Sequence, residues 1–202
     1  MTKDFTLKDL SAVAEEVKSG KVVAFPTDTV YGVGVRYDDE AAIEAMKRSK
    51  GRPESKPFPM MVCDEVQMAS VAWIDEDILR LVKRLTPGAL TLVLRKKETV
   101  PDFVTNGKDT IAIRIPDHRF VLDLLEKVGV PMLVTSANLS DHPSCRTYAE
   151  VMEQLDGRID AIVDGPCGSG VASTIVDVTS KPFKILREGA ISLEEIMEGI
   201  KE

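Results

Sequence analysis

Aromatic residues are scarce in this chain: six Phe, three Tyr and one Trp among 202 residues. A surface that holds unpaired bases by stacking needs several such rings, so this scarcity argues against an RNA-stacking module. Cysteine is scarcer still, at three residues, and Cys63, Cys145 and Cys167 show no paired short spacing. An odd, scattered set excludes a disulfide framework and a zinc ribbon. Histidine occurs only at His118 and His142, too few for a catalytic zinc site with those cysteines. No apolar run approaches the ~20 residues that a membrane-spanning helix requires. The polar start "MTKDFTLKDL" lacks the apolar centre of a secretory leader. Together these absences predict a cytoplasmic protein with no membrane association.

What the chain does have is ordinary globular balance, 44% apolar and 29% charged, with a formal net charge of -7. An acidic total disfavours a broad nucleic-acid-binding face. Against that background "MKRSKGRPESKP" packs Lys47, Arg48, Lys50, Arg52 and Lys56 into one short run. Local cations on an acidic chain suggest a small anionic ligand held in a cleft.

The hydrophobic periodicity predicts helices over Leu7–Ser19 (capped by Thr6), Asp39–Arg48, Glu65–Ala72, Asp75–Leu85 and His118–Val128. Thr147 with Glu150 and Ser192 with Glu195 match capping boxes and mark two further helix starts. Strands are expected in "KVVAFPTD", "FPMMVC", "ALTLVLR", "TIAIRIP", "MLVTSA", "DAIVD", "STIVDVT" and "FKILRE". Crossover helices and close strand pairs both occur. The expected fold is therefore α/β (α+β), a twisted mixed parallel and antiparallel sheet flanked by helices, in one domain over residues 1–202.

Several stretches could carry chemistry. "FPTDTVYGVGV" sets Thr27, Asp28, Thr29 and Tyr31 at a strand end, where α/β sheets place ligands, yet lacks the third glycine of a dinucleotide fingerprint. In "SKGRP", Lys47 and Arg48 are explained by the dipole at a helix C-terminus. Lys50 and Arg52, one residue apart on an extended loop, could both reach one phosphate, with Lys56 just beyond. "LVTSANLSDHPSC" clusters Thr135, Ser136, Asn138, Ser140 and Ser144, which suits either a capped turn or a nucleotide held by hydroxyls and amides. No nucleophile elbow is present, so Ser136 is not read as a nucleophile. Arg114 lies in an otherwise apolar strand; it meets an internal carboxylate or faces a cleft and an acidic ligand. "GPCGSGVAST" is no Walker loop and reads as a flap.

Taken in order, "FPTDTVYGVG", "KGRP", "TIAIRIP", "TSANLS", "STIVDVT" and "LREG" resemble the YrdC/TsaC family of threonylcarbamoyl-AMP synthases, over about residues 7 to 191. The resemblance implies a YrdC-like fold with a concave basic groove. It implies an enzyme joining L-threonine, bicarbonate and ATP into threonylcarbamoyl-adenylate and pyrophosphate. That product serves modification of the adenosine next to the anticodon in tRNAs reading ANN codons, with tRNA met only through a downstream transferase complex. By the same resemblance Lys50 and Arg52 are catalytic, acting on the phosphates. Arg52, Lys56, Thr110, Ser136, Asn138, Ser144 and Arg187 hold ATP, and Thr29, Arg114 and Ser173 hold threonine. This places Arg114 on a ligand. Mg2+ would bridge the phosphates, with few ligands from the protein. Relatives often carry His where this chain has Met61, and Thr or Ser near Val134. Two other readings remain open. One is a YciO-like paralogue with a different acceptor. The other is a non-catalytic binder of tRNA or double-stranded RNA.

Overall fold

The computed structural model describes residues 1–51, 57–168 and 170–201. Its strands are β1 (Lys3–Thr6), β2 (Val23–Phe25), β3 (Gly32–Arg36), β4 (Met60–Met61), β5 (Leu90–Arg95), β6 (Thr110–Arg114), β7 (Met132–Ser136), β8 (Ala161–Asp164), β9 (Thr174–Asp177) and β10 (Lys184–Arg187). Its helices are α1 (Leu10–Lys18), α2 (Glu40–Lys50), α3 (Glu65–Val71), α4 (Glu76–Leu85), α5 (Asp102–Thr105), α6 (Arg119–Val128), α7 (Tyr148–Leu155) and α8 (Leu193–Lys201). All ten strands join one sheet in the order β1-β8-β2-β3-β7-β4-β6-β5-β9-β10. Parallel pairs (β1/β8, β2/β8, β4/β6, β5/β9) mix with antiparallel ones (β2/β3, β3/β7, β4/β7, β5/β6, β9/β10). The mixed, helix-flanked sheet expected from the sequence is what the chain forms.

Three local expectations are corrected. The first helix starts at Leu10, because Lys3–Thr6 is spent on an edge strand paired to β8. Thr6 is therefore not its cap; the Asp9 carboxylate accepts from the Thr6 N–H at 2.8 Å and its hydroxyl at 2.7 Å, closing the turn between strand and helix. The "GVGV" segment, absent from the expected strands, is the inner strand β3. Its glycines share a sheet face with Val134: a Cβ on Gly32 or Gly34 would stand 2.9 Å from a Val134 methyl, so the strand tolerates no side chain there. Finally, α2 runs two residues past Arg48 to Lys50 and stops on Gly51, whose φ of 59° is left-handed. Lys50 thus continues the inward stripe of Ile43 and Met46 rather than lying on an extended loop. Both expected capping boxes form, at Thr147–Glu150 and Ser192–Glu195.

The core divides by sheet face. Val33, Val35, Leu133, Met60, Ile113 and Leu92 pack with the buried sides of α2, α3 and α4. Phe25, Met61, Met132 and Val134 point the other way, beneath Val13 and Val17 of α1 and Phe120 and Leu124 of α6. Further along this second face, Ala112, Val93, Ile175 and Asp177 are only half-buried. The helical cover thins there. That is where the site opens.

Candidate active site

A cavity of about 150 Å³ lies at the rim of the α1–α6 cover, comparable to one that holds a single benzene-sized molecule. The β2–β3 loop supplies one wall through Thr27, Thr29, Val30 and Tyr31. The sheet supplies the floor through Gly32, Met61, Thr91, Arg114, Val134 and Ser136. Ser144, Ala172, Ser173 and Arg187 close it from segments distant in the chain.

Strand alternation puts Arg114 on the cavity side, next to Met61 across the β4–β6 pairing. Each of its three guanidinium nitrogens donates one hydrogen bond. It donates to Asp28 Oδ2 at 2.5 Å, to Thr29 Oγ1 at 3.1 Å and to the Gly88 carbonyl at 2.9 Å. Burial lowers its pKa from the usual guanidinium range, while the Asp28 charge opposes that fall. Asp28 keeps its other oxygen, Oδ1, buried and without a partner among the described residues. The two sequence alternatives for Arg114 coexist: it meets an internal carboxylate and it lines the cleft.

The β2–β3 loop is held in shape from within and from above. Thr27 Oγ1 donates to the Val30 carbonyl at 2.7 Å and accepts the Thr29 N–H at 3.1 Å. The segment after β8 crosses over it, with Gly168 N–H on the Thr27 carbonyl and Gly170 N–H on the Thr29 carbonyl, both at 2.9 Å. On the opposite side, Ser173 Oγ lies 2.8 Å from Thr91 Oγ1. Arg187 reaches across from β10 to Ser173, donating to its carbonyl at 2.8 Å and to its hydroxyl at 3.1 Å. Burial lowers the Arg187 pKa as well.

Lys50 is 2% exposed. Its ammonium donates to the carbonyls of Ser136 and, at 2.6 Å, of Asn138, while its own carbonyl accepts the Ser140 N–H at 2.9 Å. Asn138 Nδ2 closes the same loop onto the His142 carbonyl at 2.9 Å, leaving Oδ1 buried and unpartnered among the described residues. The "SAN" turn is thus pinned from behind by the end of α2.

The structure therefore brings Thr29, Arg114, Ser173, Ser136, Ser144 and Arg187 to one cavity. Lys50 and Asn138 stand directly behind its Ser136 wall. Thr110 is not among the cavity's residues. It shares the sheet face of Ala112 and Arg114 but lies four positions from Arg114, ~13 Å along the strand, and borders a second hollow with Arg95 and Thr179. Arg52 and Lys56 lie outside the described residues. Two residues outside the expected ATP- and threonine-binding sets belong here. Asp28 fixes Arg114, and Thr91, a polar residue inside an apolar strand, was the same kind of signal that Arg114 offered.

A small cavity of mixed lining lies on one face of a mixed α/β sheet, with a buried arginine at one end and a hydroxyl-rich turn at the other. The Sua5/YciO/YrdC family model, described as telomere recombination, matches residues 15–189, and the chain belongs to this family. The threonylcarbamoyl-AMP synthase of Pyrococcus abyssi is 42% identical over 188 residues, covering 92% of this chain and 55% of that protein. The Bacillus subtilis protein of the same name is 40% identical over 190 residues, covering 93% and 55%. The chain spans about half the length of these curated relatives. Among solved structures, P. abyssi Sua5 complexed with L-threonine superposes with a TM-score of 0.93 at 38% identity, over 100% of this chain and 61% of that one. Escherichia coli YciO gives 0.89 at 27% identity, over 97% and 100%.

Proposed function

We propose that the chain joins L-threonine, bicarbonate and ATP into threonylcarbamoyl-AMP and pyrophosphate, the activity for which its curated relatives are named. One observation carries this reading: the residues expected to hold an amino acid (Thr29, Arg114, Ser173) and those expected to hold a nucleotide (Ser136, Ser144, Arg187) meet at a single cavity.

In this reading the threonine carboxylate meets Arg114, whose edge is already oriented by Asp28. The amine points toward Ser136, where it attacks the bicarbonate carbon; an N–C bond forms and water leaves. A carbamate oxygen then attacks the α-phosphorus, and the bond to the bridging oxygen breaks as pyrophosphate departs with the electron pair. No protein nucleophile is required. The protein supplies position and charge. The nucleotide lies along Ser136, Asn138, Ser144 and Arg187, and Thr110 marks where its far end would reach along the open sheet face. Lys50 acts through the Ser136–Asn138 turn that it pins, and Arg52 and Lys56 provide cations to the phosphates. Among the described residues no group of three acidic, His or Cys side chains could hold a metal ion. Mg2+ would be bound chiefly by phosphates and water. The setting is cytoplasmic, with the adenylate passed to a transferase complex that meets tRNA; among the described residues no helix is long and apolar enough to cross a membrane.

Mass spectrometry of the products from ATP, threonine and bicarbonate tests the proposal. The expected result is a threonylcarbamoyl-AMP adduct with stoichiometric pyrophosphate, lost in Arg114→Ala. Salt-sensitive RNA binding with no adduct would instead favour the non-catalytic reading. The match of E. coli YciO over its full length favours a second reading, an adenylating enzyme with another acceptor.

A further inference from the structure

Among the described residues, the charged side chains that line the cavity are both cations. Arg114 faces it from β6 and Arg187 from β10, with no Asp or Glu in the lining. Besides burial, the larger cause, the Arg187 charge lowers the Arg114 pKa, so the two guanidiniums feel one another across this space. Asp28 pairs with Arg114 alone, from outside the lining. Two cations over one small hollow favour an anionic ligand between them.

Thr91 connects the two arginines. Leu92 pairs with Ile113 across β5 and β6, so Thr91 and Arg114, the next residues along, turn to the same side. Thr91 Oγ1 lies 2.8 Å from Ser173 Oγ, and Arg187 Nη2 donates to that same Ser173 oxygen at 3.1 Å. The two hydroxyls carry two protons but share one bond, which leaves one proton without an acceptor among the described residues. Both residues are buried, 3% and 6% exposed, and both line the cavity. The spare proton therefore finds its acceptor in the cavity. Arg187 decides which hydroxyl holds it. Accepting from a cation polarises the Ser173 O–H and makes it the stronger donor, so Ser173 donates to Thr91 and Thr91 keeps the free proton.

Resting on the reading above, in which the amino-acid carboxylate meets Arg114, we infer that Thr91 is a further substrate-binding residue, donating its O–H to that carboxylate, and that Arg187 orients it through Ser173. Arg187 thereby serves the amino acid as well as the nucleotide.

Calorimetric titration of threonine without ATP reads this binding apart from catalysis. Thr91→Val keeps the branched shape and removes the proton. Its threonine affinity is expected to fall ~10- to 100-fold, the range for a hydrogen bond to a charged group, with KM for ATP held within ~2-fold. Thr91→Ser keeps the hydroxyl and retains most of the affinity. If circular dichroism shows Thr91→Val unfolded, Thr91→Ala is read in its place. Arg187→Ala is expected to weaken threonine in the wild-type background and much less in Thr91→Val, since the second change removes what the first would disorient. Unchanged affinity in folded Thr91→Val, an equal loss in Thr91→Ser, or additive losses with Arg187→Ala overturn the inference. Wild-type protein that binds threonine yet releases no pyrophosphate from ATP overturns the proposed reaction, and the calorimetric series still decides the role of Thr91.

Discussion

Arg114 and Asp28 form a buried pair, 6% and 12% exposed at their side chains. Removing one partner of such a pair strands the other charge in a poorly solvated place, at a cost of about 3–5 kcal/mol. Asp28→Ala is therefore expected to lower unfolding free energy by about that much in denaturant titration. It should also raise KM for the amino acid, because the guanidinium loses the carboxylate that orients it. Asp28→Asn keeps a hydrogen-bond acceptor and should recover part of both. Unchanged stability in Asp28→Ala would show that Arg114 finds other compensation. Arg114 was legible as a residue out of place in an apolar strand; its partner was not, because the two are 86 positions apart in sequence. Lys50 was legible as a cation that could reach a phosphate. Its burial was not, since that depends on α2 continuing two residues beyond the point where the charges seemed to end it.

At the scale of elements, residues 165–168 and 170–173 act as a strap across the β2–β3 loop. Gly168 is the tightest point: a Cβ there would stand 1.9 Å from the Asp28 carbonyl oxygen. Gly168→Ala must push the strap off the loop. It is expected to cost about 1–3 kcal/mol and to weaken amino-acid binding, read by calorimetric titration and thermal melting. Retained affinity would mean that the strap is not needed to shape the loop. "GPCGSGVAST" announced a flexible, glycine-rich connection. That Gly168 is demanded by close backbone approach, rather than by turn geometry, follows only from the neighbour it crosses. The same logic explains β3, whose Gly32 and Gly34 look like loop punctuation but fit beneath Val134.

For the whole molecule, two buried acids contribute to the alkaline limit. Burial pushes the Tyr31 phenol from 10.0 up to about 12 and the Cys145 thiol from 9.0 up to about 11. Both remain neutral in the folded chain while the unfolded chain ionises them first. Their contribution is intact below the unfolded values, and stability is lost as pH rises from 9.0 toward about 11 for Cys145 and from 10.0 toward about 12 for Tyr31. Melting temperature should fall across that span. Tyr31→Phe should flatten its upper part while lowering Tm at neutral pH, since the phenol bonds the Gly165 carbonyl at 2.8 Å and accepts the Gly165 N–H at 3.1 Å. A melting temperature that holds level over this range would contradict the assignment.

Periodicity, capping residues and turn chemistry are local, so the sequence alone determined the mixed α/β class, most strands, most helix starts and the polar stretches worth watching. Tertiary structure decided which of those stretches meet. The ends of β6, β7 and β10, the β2–β3 loop and the strap converge only because the strand order departs from chain order. That order is set by which apolar faces bury one another across the sheet, a long-range balance that no window of neighbouring residues contains.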